Sequence, residues 1–168
     1  MPEISTPRQL FLHELGDILY VERTLAEKTL PTLIEEVFDD EFKEGLQAHL
    51  NQTRGHVSNV ERVFELLGEE VQVEKCVGFE GLQAEHDQLV EESSSSLVDM
   101  VDLGAAARTE NYEIAAYEGL RRMAKAMGED EAVDLLDENL KQEKETLREV
   151  EKIATRLSND TAQQPSST

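Results

Sequence analysis

Long segments of this chain repeat apolar residues at alternating steps of three and four, a spacing that returns to one side of an α-helix. In three of four such segments, glutamates interrupt the apolar stripe near its middle. An ionised carboxylate in a core costs several kcal/mol unless a partner or a metal compensates. The pattern therefore predicts a helical bundle with a metal site inside it. The three interrupted stripes are Phe11, Leu15, Ile18, Glu22 and Leu25; Leu103, Ala106, Glu110, Glu113, Tyr117, Leu120, Ala124 and Met127; and Val133, Leu136, Leu140, Glu143, Leu147, Val150, Ala154 and Leu157.

The composition favours one all-α domain. The chain has 168 residues, of which 39% are apolar and 5% aromatic, with no Trp, and this suits a Leu, Val and Ala core. No apolar run approaches the ~18 residues of a membrane span. The N-terminal segment MPEISTPRQL lacks the pattern of a signal peptide, so we expect a cytoplasmic protein. We expect the single cysteine, Cys76, to be a small buried residue rather than a reactive thiol.

The charge balance is strongly acidic, with 37 Asp and Glu against 16 Lys and Arg and a net charge of −21. Nucleic acids and anionic membranes need cationic patches on their partners, so neither is an expected partner. One explanation is a halophilic, high-salt cytosol, where an acidic surface keeps proteins soluble. Another, compatible with the first, is an acidic field that concentrates cations near a metal site.

Start and stop signals divide the chain into four long helices, A to D. Helix A begins at a capping box formed by Thr6 and Gln9 and runs to about Val37, with a kink at Pro31. Helix B follows an acidic turn at residues 39–40, which can cap it, and ends at Gly68. A long connection over 69–96 contains a short amphipathic helix at about 79–92.

Helix C follows the serine run 93–96, which we expect to cap it, and continues to Met127. Gly128 and Asp130 separate it from helix D, which ends near Leu157. Two tight hairpins joined by one long crossover describe a ferritin-like four-helix bundle over residues 1–158. Residues 159–168 have the composition of a disordered C-terminal tail.

In each hairpin, residues that are equally far from the turn lie level with each other in the bundle. The positions of the polar residues that interrupt the apolar stripes can therefore be compared along the bundle axis. Glu22 lies about 17 residues before the A–B turn, and His56 lies about 17 after it. Glu113 lies about 16 residues before the C–D turn, and Glu143 about 14 after it. At about 1.5 Å per residue these differences amount to a few ångströms, which predicts a single layer near the middle of the bundle.

The residues of this layer have the chemistry of a di-metal site. Ferritin-like di-iron sites take one Glu from each of two helices and a Glu-x-x-His pair from each of the other two. The predicted ligands here are Glu22, His56, Glu110, Glu113 and Glu143. Helix B carries Thr53 three residues before its histidine, where the glutamate would stand, and His49 and Gln52 are nearby alternatives.

Other interpretations of these residues stay open. The glutamates could form buried ion pairs with Arg108 or Arg121, and Arg23 or Lys28 could draw Glu22 outward. Tyr117 could donate a hydrogen bond or an electron to the site, or it could be an ordinary core aromatic residue.

Taken together, these residues resemble the YciE/YciF ferritin-like family over about residues 5–157. The resemblance rests on residues 12–20 with Glu22, on His49, Leu50 and Thr53, on Lys75 and Cys76 with 80–82, on 110–117, and on Leu140, Glu143, Lys144 and Thr146. It implies a homodimeric ferritin-like bundle, a di-metal centre and an association with stress responses. Relatives often carry oxygen donors where this chain has Gln52 and Leu147.

Two functions are therefore expected as alternatives. The first is a di-metal carboxylate protein, with iron as the expected metal and manganese or zinc as other candidates, which reacts with O₂ or peroxide in stress protection. The second is a structural or interaction bundle that has lost its metal. A ferritin-type storage cage is a third possibility, although we expect a dimer.

Overall fold

Six α-helices and no strand make up residues 3–162, the part of the chain that this computed structural model describes. A π-helical turn, Leu25–Thr29, joins the first two helices, and a 3₁₀ turn, Ser95–Leu97, precedes the fifth. The helices are α1 (Pro7–Thr24), α2 (Leu30–Glu36), α3 (Asp40–Leu66), α4 (Val77–Glu92), α5 (Val98–Met127) and α6 (Asp130–Ala162). Within the described range, none of these helices is long and apolar enough to cross a membrane.

The first predicted helix is α1, the π turn and α2 in series, and it begins and ends as expected. Thr6 accepts a hydrogen bond from the backbone N–H of Gln9, whose side chain bonds back to the cap. The expected kink at Pro31 takes the form of the π turn just before it. Proline has no N–H, and its ring clashes with the carbonyl four residues earlier in a regular α-helix. A widened turn relieves this clash.

The long helices form the predicted ferritin-like four-helix bundle. The α1 and α6 helices lie diagonally opposite, and each packs against both α3 and α5. The crossover between α3 and α5 contains α4, which packs on the outside of α5. The core is built from the predicted stripes: Phe11, Leu15 and Ile18 are fully buried on α1, as are Leu103, Tyr117 and Leu120 on α5 and Leu136 on α6.

The extended part of the crossover is held against α1 at a glycine. The backbone N–H of Glu74 donates to the carbonyl of Gly16 at 3.1 Å. A Cβ on Gly16 would lie 3.1 Å from the carbonyl oxygen of Gln72. The absence of a side chain at Gly16 therefore allows the crossover to lie directly on the bundle.

Two predicted helix ends differ from the structure, namely the start of α5 and the end of α6. The serine run does not cap α5, because Leu97 occupies the cap position without a side-chain hydrogen bond. Instead Asp99, in the first turn of α5, accepts hydrogen bonds from the backbone N–H groups of Phe38 and Asp39, which ties α5 to the A–B turn. Asp39 also caps α3 as predicted, since it accepts from the N–H of Phe42 at 3.0 Å.

The end of α6 also differs from prediction. The helix does not end near Leu157 but continues to Ala162, so residues 159–162 are helical rather than part of a disordered tail. The hydroxyl of Thr161 donates to the carbonyl of Leu157 at 2.8 Å, and Arg156 lies 3.8 Å from Asp160 one turn later. Residues 163–168 of the predicted tail lie outside the described residues.

Gly128 is the position where the α5–α6 turn requires a glycine, because its φ is +78° and it is the C-cap of α5. We expect Gly128→Ala to destabilise the protein by about 1 kcal/mol, the cost of a left-handed conformation for a residue with a Cβ. Gly119 lies within the same helix, and a Cβ there meets nothing within 4 Å. Gly119→Ala should therefore stabilise the protein by about 0.5–1 kcal/mol. Urea unfolding followed by circular dichroism measures both changes, and equal effects would contradict the assigned turn.

Candidate metal centre

The five predicted ligands are all buried in one layer of the bundle. Glu22, Glu113 and Glu143 are 0% exposed, His56 is 1% and Glu110 is 3%. Each residue occupies the position within its apolar stripe that faces the other helices. The carboxyl groups are therefore removed from the water that would normally solvate them.

Within the described part of the chain, the donors form two groups that share one glutamate. Glu22, His56 and Glu143 form the first group, and His49, Glu110 and Glu143 form the second. In each group, one donor atom from every residue lies within 4.8 Å of the others. Glu143 on α6 thus stands between two potential cation positions, as a bridging carboxylate does in a two-metal site.

Most donor atoms of this layer have no hydrogen-bond partner among residues 3–162. The unpartnered atoms are Oε2 of Glu22, Oε2 of Glu110, Nδ1 of His56, and both carboxyl oxygens of Glu113 and of Glu143. Buried polar groups in native proteins are nearly always paired, so a concentration of exceptions needs an explanation. A cation bound by these lone pairs would satisfy them together.

The His56 ring contacts the carboxylates without forming a hydrogen bond with them. Its Nδ1 lies 2.8 Å from Glu143 Oε1 and 3.4 Å from Glu22 Oε1, but the N–H direction suits neither oxygen. The other nitrogen, Nε2, lies 3.0 Å from Oε1 of Gln142. If Nε2 donates to Gln142, Nδ1 keeps a free lone pair, which is the arrangement that a metal-bound imidazole requires.

His49 is the sixth donor, and it was named from the sequence only as an alternative. Its Nε2 lies 3.2 Å from Oε1 of Glu110, and its Nδ1 lies 3.3 Å from the hydroxyl of Thr146. The sequence does contain a signal for it. Seven of the eight positions buried along α3 follow the same alternating steps as the other stripes: Phe42, Leu46, His49, Thr53, His56, Val60 and Val63.

Two other polar residues of α3 near the layer, Thr53 and Gln52, contact neighbouring groups rather than the donors' carboxylates. Thr53 is buried between the histidines, and its hydroxyl donates to the carbonyl of His49 at 3.0 Å. Gln52 is only half-buried and accepts from Thr146 at 3.3 Å. Neither residue belongs to the two groups of donors.

The complete set comprises four carboxyl groups and two imidazoles. This is the donor count of a ferritin-like di-iron site. The distribution differs, because α3 supplies both histidines two turns apart and α5 supplies two glutamates one turn apart. The predicted residues are therefore gathered by the fold, although Glu113 lies outside both groups as defined by distance.

Burial and mutual repulsion change the acidity of these groups. Burial, followed by the charge of Glu143, raises the pKa of both Glu110 and Glu113 well above the ordinary value. Burial also raises the pKa of Glu22. Burial would also raise the pKa of Glu143, but the nearby His56 has the larger effect, so the pKa of Glu143 is lowered.

The two histidines respond in opposite directions. Burial lowers the pKa of His49. Burial would also lower the pKa of His56, but the charge of Glu22 and the contact with Glu143 raise it to about 10. In the absence of metal, the proton on His56 therefore compensates part of the negative charge in the layer.

Tyr117 is hydrogen-bonded at the centre of the layer. Its hydroxyl donates to Oε1 of Glu22 and accepts from the side-chain amide of Asn139 at 3.0 Å. Asn139 in turn accepts from the side-chain amide of Asn59 at 2.8 Å. Because Asn139 occupies the lone pair of the hydroxyl, the phenol proton is directed at Glu22. Tyr117 is thus more than an apolar core residue.

The basic residues that could have paired with the glutamates lie elsewhere. Arg108 contacts Glu85 at 3.2 Å, Arg121 contacts Asp137 at 3.2 Å, and Arg23 contacts Glu61 at 2.7 Å. Lys28 is exposed. None of the ion pairs in the described residues places a Lys or an Arg on the buried carboxyl groups.

Comparison with known proteins agrees with this architecture. Residues 6–163 match the family model described as a domain of unknown function (DUF892). Protein YciF of Escherichia coli K12 is 31% identical over 145 residues, which cover 85% of this chain and 87% of that protein.

Solved structures match over most of their length. The E. coli stress protein YciF has a TM-score of 0.86 and 29% identity, covering 93% of this chain and 99% of that one. YcfI from Rhodopseudomonas palustris, whose description suggests a structural protein, has a TM-score of 0.85 and 32% identity, with coverage of 89% and 95%. A protein from Xanthomonas campestris shares the fold, with a TM-score of 0.72, 20% identity and coverage of 94% and 96%.

The raised pKa of Glu113 predicts how metal-free protein responds to pH. The folded state holds the carboxyl proton of Glu113 more tightly than the unfolded state does, because a glutamate in the unfolded chain has a pKa of about 4.3. Stability should therefore fall as pH rises above about 4.3 and towards the folded-state pKa. Glu113→Gln removes this dependence, so it should raise the melting temperature more at pH 8 than at pH 5. The exposed Glu138→Gln is the control, and parallel changes in both variants would contradict the assignment.

Proposed function

The chain belongs to the DUF892 family, and from that premise we propose that it is a metal-binding protein with a di-metal carboxylate centre. The proposed ligands are Glu22, His49, His56, Glu110, Glu113 and Glu143. The observation that carries this proposal is the concentration of buried donor atoms without hydrogen-bond partners in one layer. Arg23, Arg108 and Arg121 do not supply the missing partners, because each of them pairs with another carboxylate.

Iron is the metal we propose. Carboxylate oxygens with some imidazole suit Fe(II), and the donor count equals that of the ferritin-like di-iron proteins. When bound, such a centre would supply redox chemistry with O₂ or peroxide. Manganese and zinc accept similar ligands, so the choice of metal is part of the test.

The residues around the ligands support this function by holding them in place. Gln142 contacts Nε2 of His56, and Thr146 contacts Nδ1 of His49, so each imidazole has a partner on its outer side. Such partners fix the ring orientation of metal-bound histidines. Tyr117 orients Glu22 through its hydrogen bond, and Asn139 orients Tyr117.

The name of one relative supports a physiological context. The E. coli protein YciF is described as a stress protein. We propose that this chain also acts in a stress response, where control of reactive iron and peroxide would be protective.

A second candidate function is a structural bundle without metal. The close contact of His56 with Glu143 at 2.8 Å favours it, because a protonated imidazole can offset one carboxylate without any ion. The description of YcfI is compatible with this role. Metal binding separates the two candidates.

The test is metal stoichiometry measured on purified protein loaded anaerobically with Fe(II). We expect about two ions per chain and a raised melting temperature, because a ligand that binds the native state stabilises it. Glu143→Ala should remove both ions, since Glu143 is shared by the two groups of donors. His49→Ala should weaken the second position more than the first.

Glu145→Ala is the matched control, because Glu145 is exposed and lies two residues from Glu143 on the same helix. It should keep full stoichiometry. If wild-type protein binds no ion at stoichiometric level, or if Glu143→Ala and Glu145→Ala bind equally, the metal centre is excluded and the structural role stands.

We also propose that the protein is a homodimer. Light scattering coupled to size-exclusion chromatography should give about twice the chain mass of 18.9 kDa. A mass many times larger would indicate a storage shell, and the monomer mass would contradict the dimer.

A further inference from the structure

A partly open cavity of about 640 Å³ lies in the half of the bundle that contains the A–B turn, and two of the six proposed ligands line it. These two are His49 of α3 and Glu110 of α5. The other four proposed ligands do not belong to its wall. The cavity therefore leads from the surface to one side of the proposed centre.

The exposure of the side chains distinguishes the same two ligands. The side chain of His49 is 5% exposed and that of Glu110 is 4%, whereas His56 is 1% exposed and Glu22 and Glu143 are 0%. His49 and Glu110 belong to the second group of donors, which they share with Glu143. The second group is therefore nearer to solvent than the first.

The core on the opposite side of the carboxylate layer is closed. Leu15, Leu120 and Leu136 lie there, and each is at most 1% exposed. On the cavity side, by contrast, Leu46 is 5% exposed and Val150 is 6%. An ion that arrived through the closed side would have to push apart a close-packed core, which costs far more than passage through existing space.

Polar groups surround His49 and Glu110 at the inner end of the cavity. The hydroxyl of Thr146 donates to Oε1 of Gln52 at 3.3 Å and lies 3.3 Å from Nδ1 of His49, and all three residues line the cavity. Thr109, which precedes Glu110, lines it as well. A large cavity with polar groups can hold water. A cation could therefore keep part of its hydration until it reaches the donors, which lowers the cost of entry.

The mouth of the cavity carries more negative than positive charge. Its exposed charged residues are the four carboxylates Glu36, Asp87, Glu145 and Glu149 and the two bases Lys28 and Arg148. A cleft lined mainly by one sign of charge raises the local concentration of the opposite ion. The mouth thus favours the approach of cations over that of anions.

We propose that divalent cations enter the di-metal centre through this cavity and that the second group of donors, with His49 and Glu110, captures them first. This inference rests on the proposed function, because a route for cations requires a centre that binds them. It adds a direction of entry and an order of filling. The mouth residues attract the ion but do not hold it in the centre, so they affect the rate of uptake and not the stoichiometry.

The test measures the rates of metal uptake and release. Metal-free protein is mixed rapidly with Co(II), which accepts the same types of ligand as Fe(II) and absorbs visible light when it is bound. Ala106 lines the cavity one turn before Glu110, so Ala106→Phe places a phenyl ring inside it. We expect uptake, and release to a chelator, to slow by the same factor of at least ten. Affinity and stoichiometry should stay unchanged, because a plug obstructs the path and leaves the bound state intact.

Matched variants separate obstruction from damage. Ala115→Phe adds the same ring to the exposed side of α5 and should leave both rates unchanged. Leu33→Trp obstructs the cavity from α2 and replaces Ala106→Phe if that variant does not fold. Rates in the plugged variants that match those of wild type, or a change in affinity instead of in rate, would overturn the route.

Charge reversal tests entry at the mouth. Glu149 and Glu138 are both exposed on α6, but Glu138 lies on the far side of the carboxylate layer. Glu149→Lys and Glu138→Lys change the net charge equally. We expect only Glu149→Lys to slow Co(II) uptake, at least twofold at low salt, and the difference should disappear at high salt because salt screens exposed charges. Equal effects of the two substitutions would contradict entry at this end of the bundle.

The order of filling is tested by removing one ligand from each group. His49→Ala should lower the initial rate of Co(II) uptake at least tenfold, whereas Glu22→Ala should leave the initial rate unchanged and remove only later binding. Equal initial rates in the two variants would overturn the proposed order. If wild-type protein binds no Co(II) or Fe(II) at all, the proposed function and the route are both wrong. If it binds metal at full stoichiometry and the plugs change no rate, the route alone is wrong.

Discussion

The burial of four carboxyl groups in one layer is the constraint on which the rest of the structure depends. Each group would cost several kcal/mol if it were ionised and unpartnered. Burial raises the pKa of Glu110 and Glu113, and the adjacent carboxylates Glu22 and Glu143 raise the pKa of His56 to about 10. No Lys or Arg of the described residues pairs with them. Such an arrangement opposes folding, and the proposed metal centre would compensate for it.

The fold supplies rigid support for this layer. Apolar stripes above and below it hold α1, α3, α5 and α6 together, and caps at Thr6, Asp39 and Gly128 define where the helices begin and end. Around the ligands, Gln142, Thr146 and Asn139 restrict the imidazoles and Tyr117. The donors are therefore held in position by the fold itself, which would lower the cost of binding the proposed ions.

A partly open cavity of about 640 Å³ lies beside the carboxylate layer. The π turn before Pro31 and the pair Ala105 and Ala106 leave space, and the space ends at Glu110.

Helical periodicity together with the start and stop signals predicted the four long helices, their hairpin connectivity and five donors that are buried, because a 3.6-residue repeat and a turn position fix both face and height. The sequence also predicted a disordered tail over 159–168, whose first four residues are helical, and a serine cap that α5 lacks. Contacts of Arg156 and Thr161 within α6 accompany the longer helix, and Asp99 at the start of α5 instead binds the backbone of the distant A–B turn. Only the tertiary structure identified His49 as a partner of Glu110, Glu143 as the shared donor, and the cavity beside them. These depend on side-chain directions across different helices, which no single helical pattern contains.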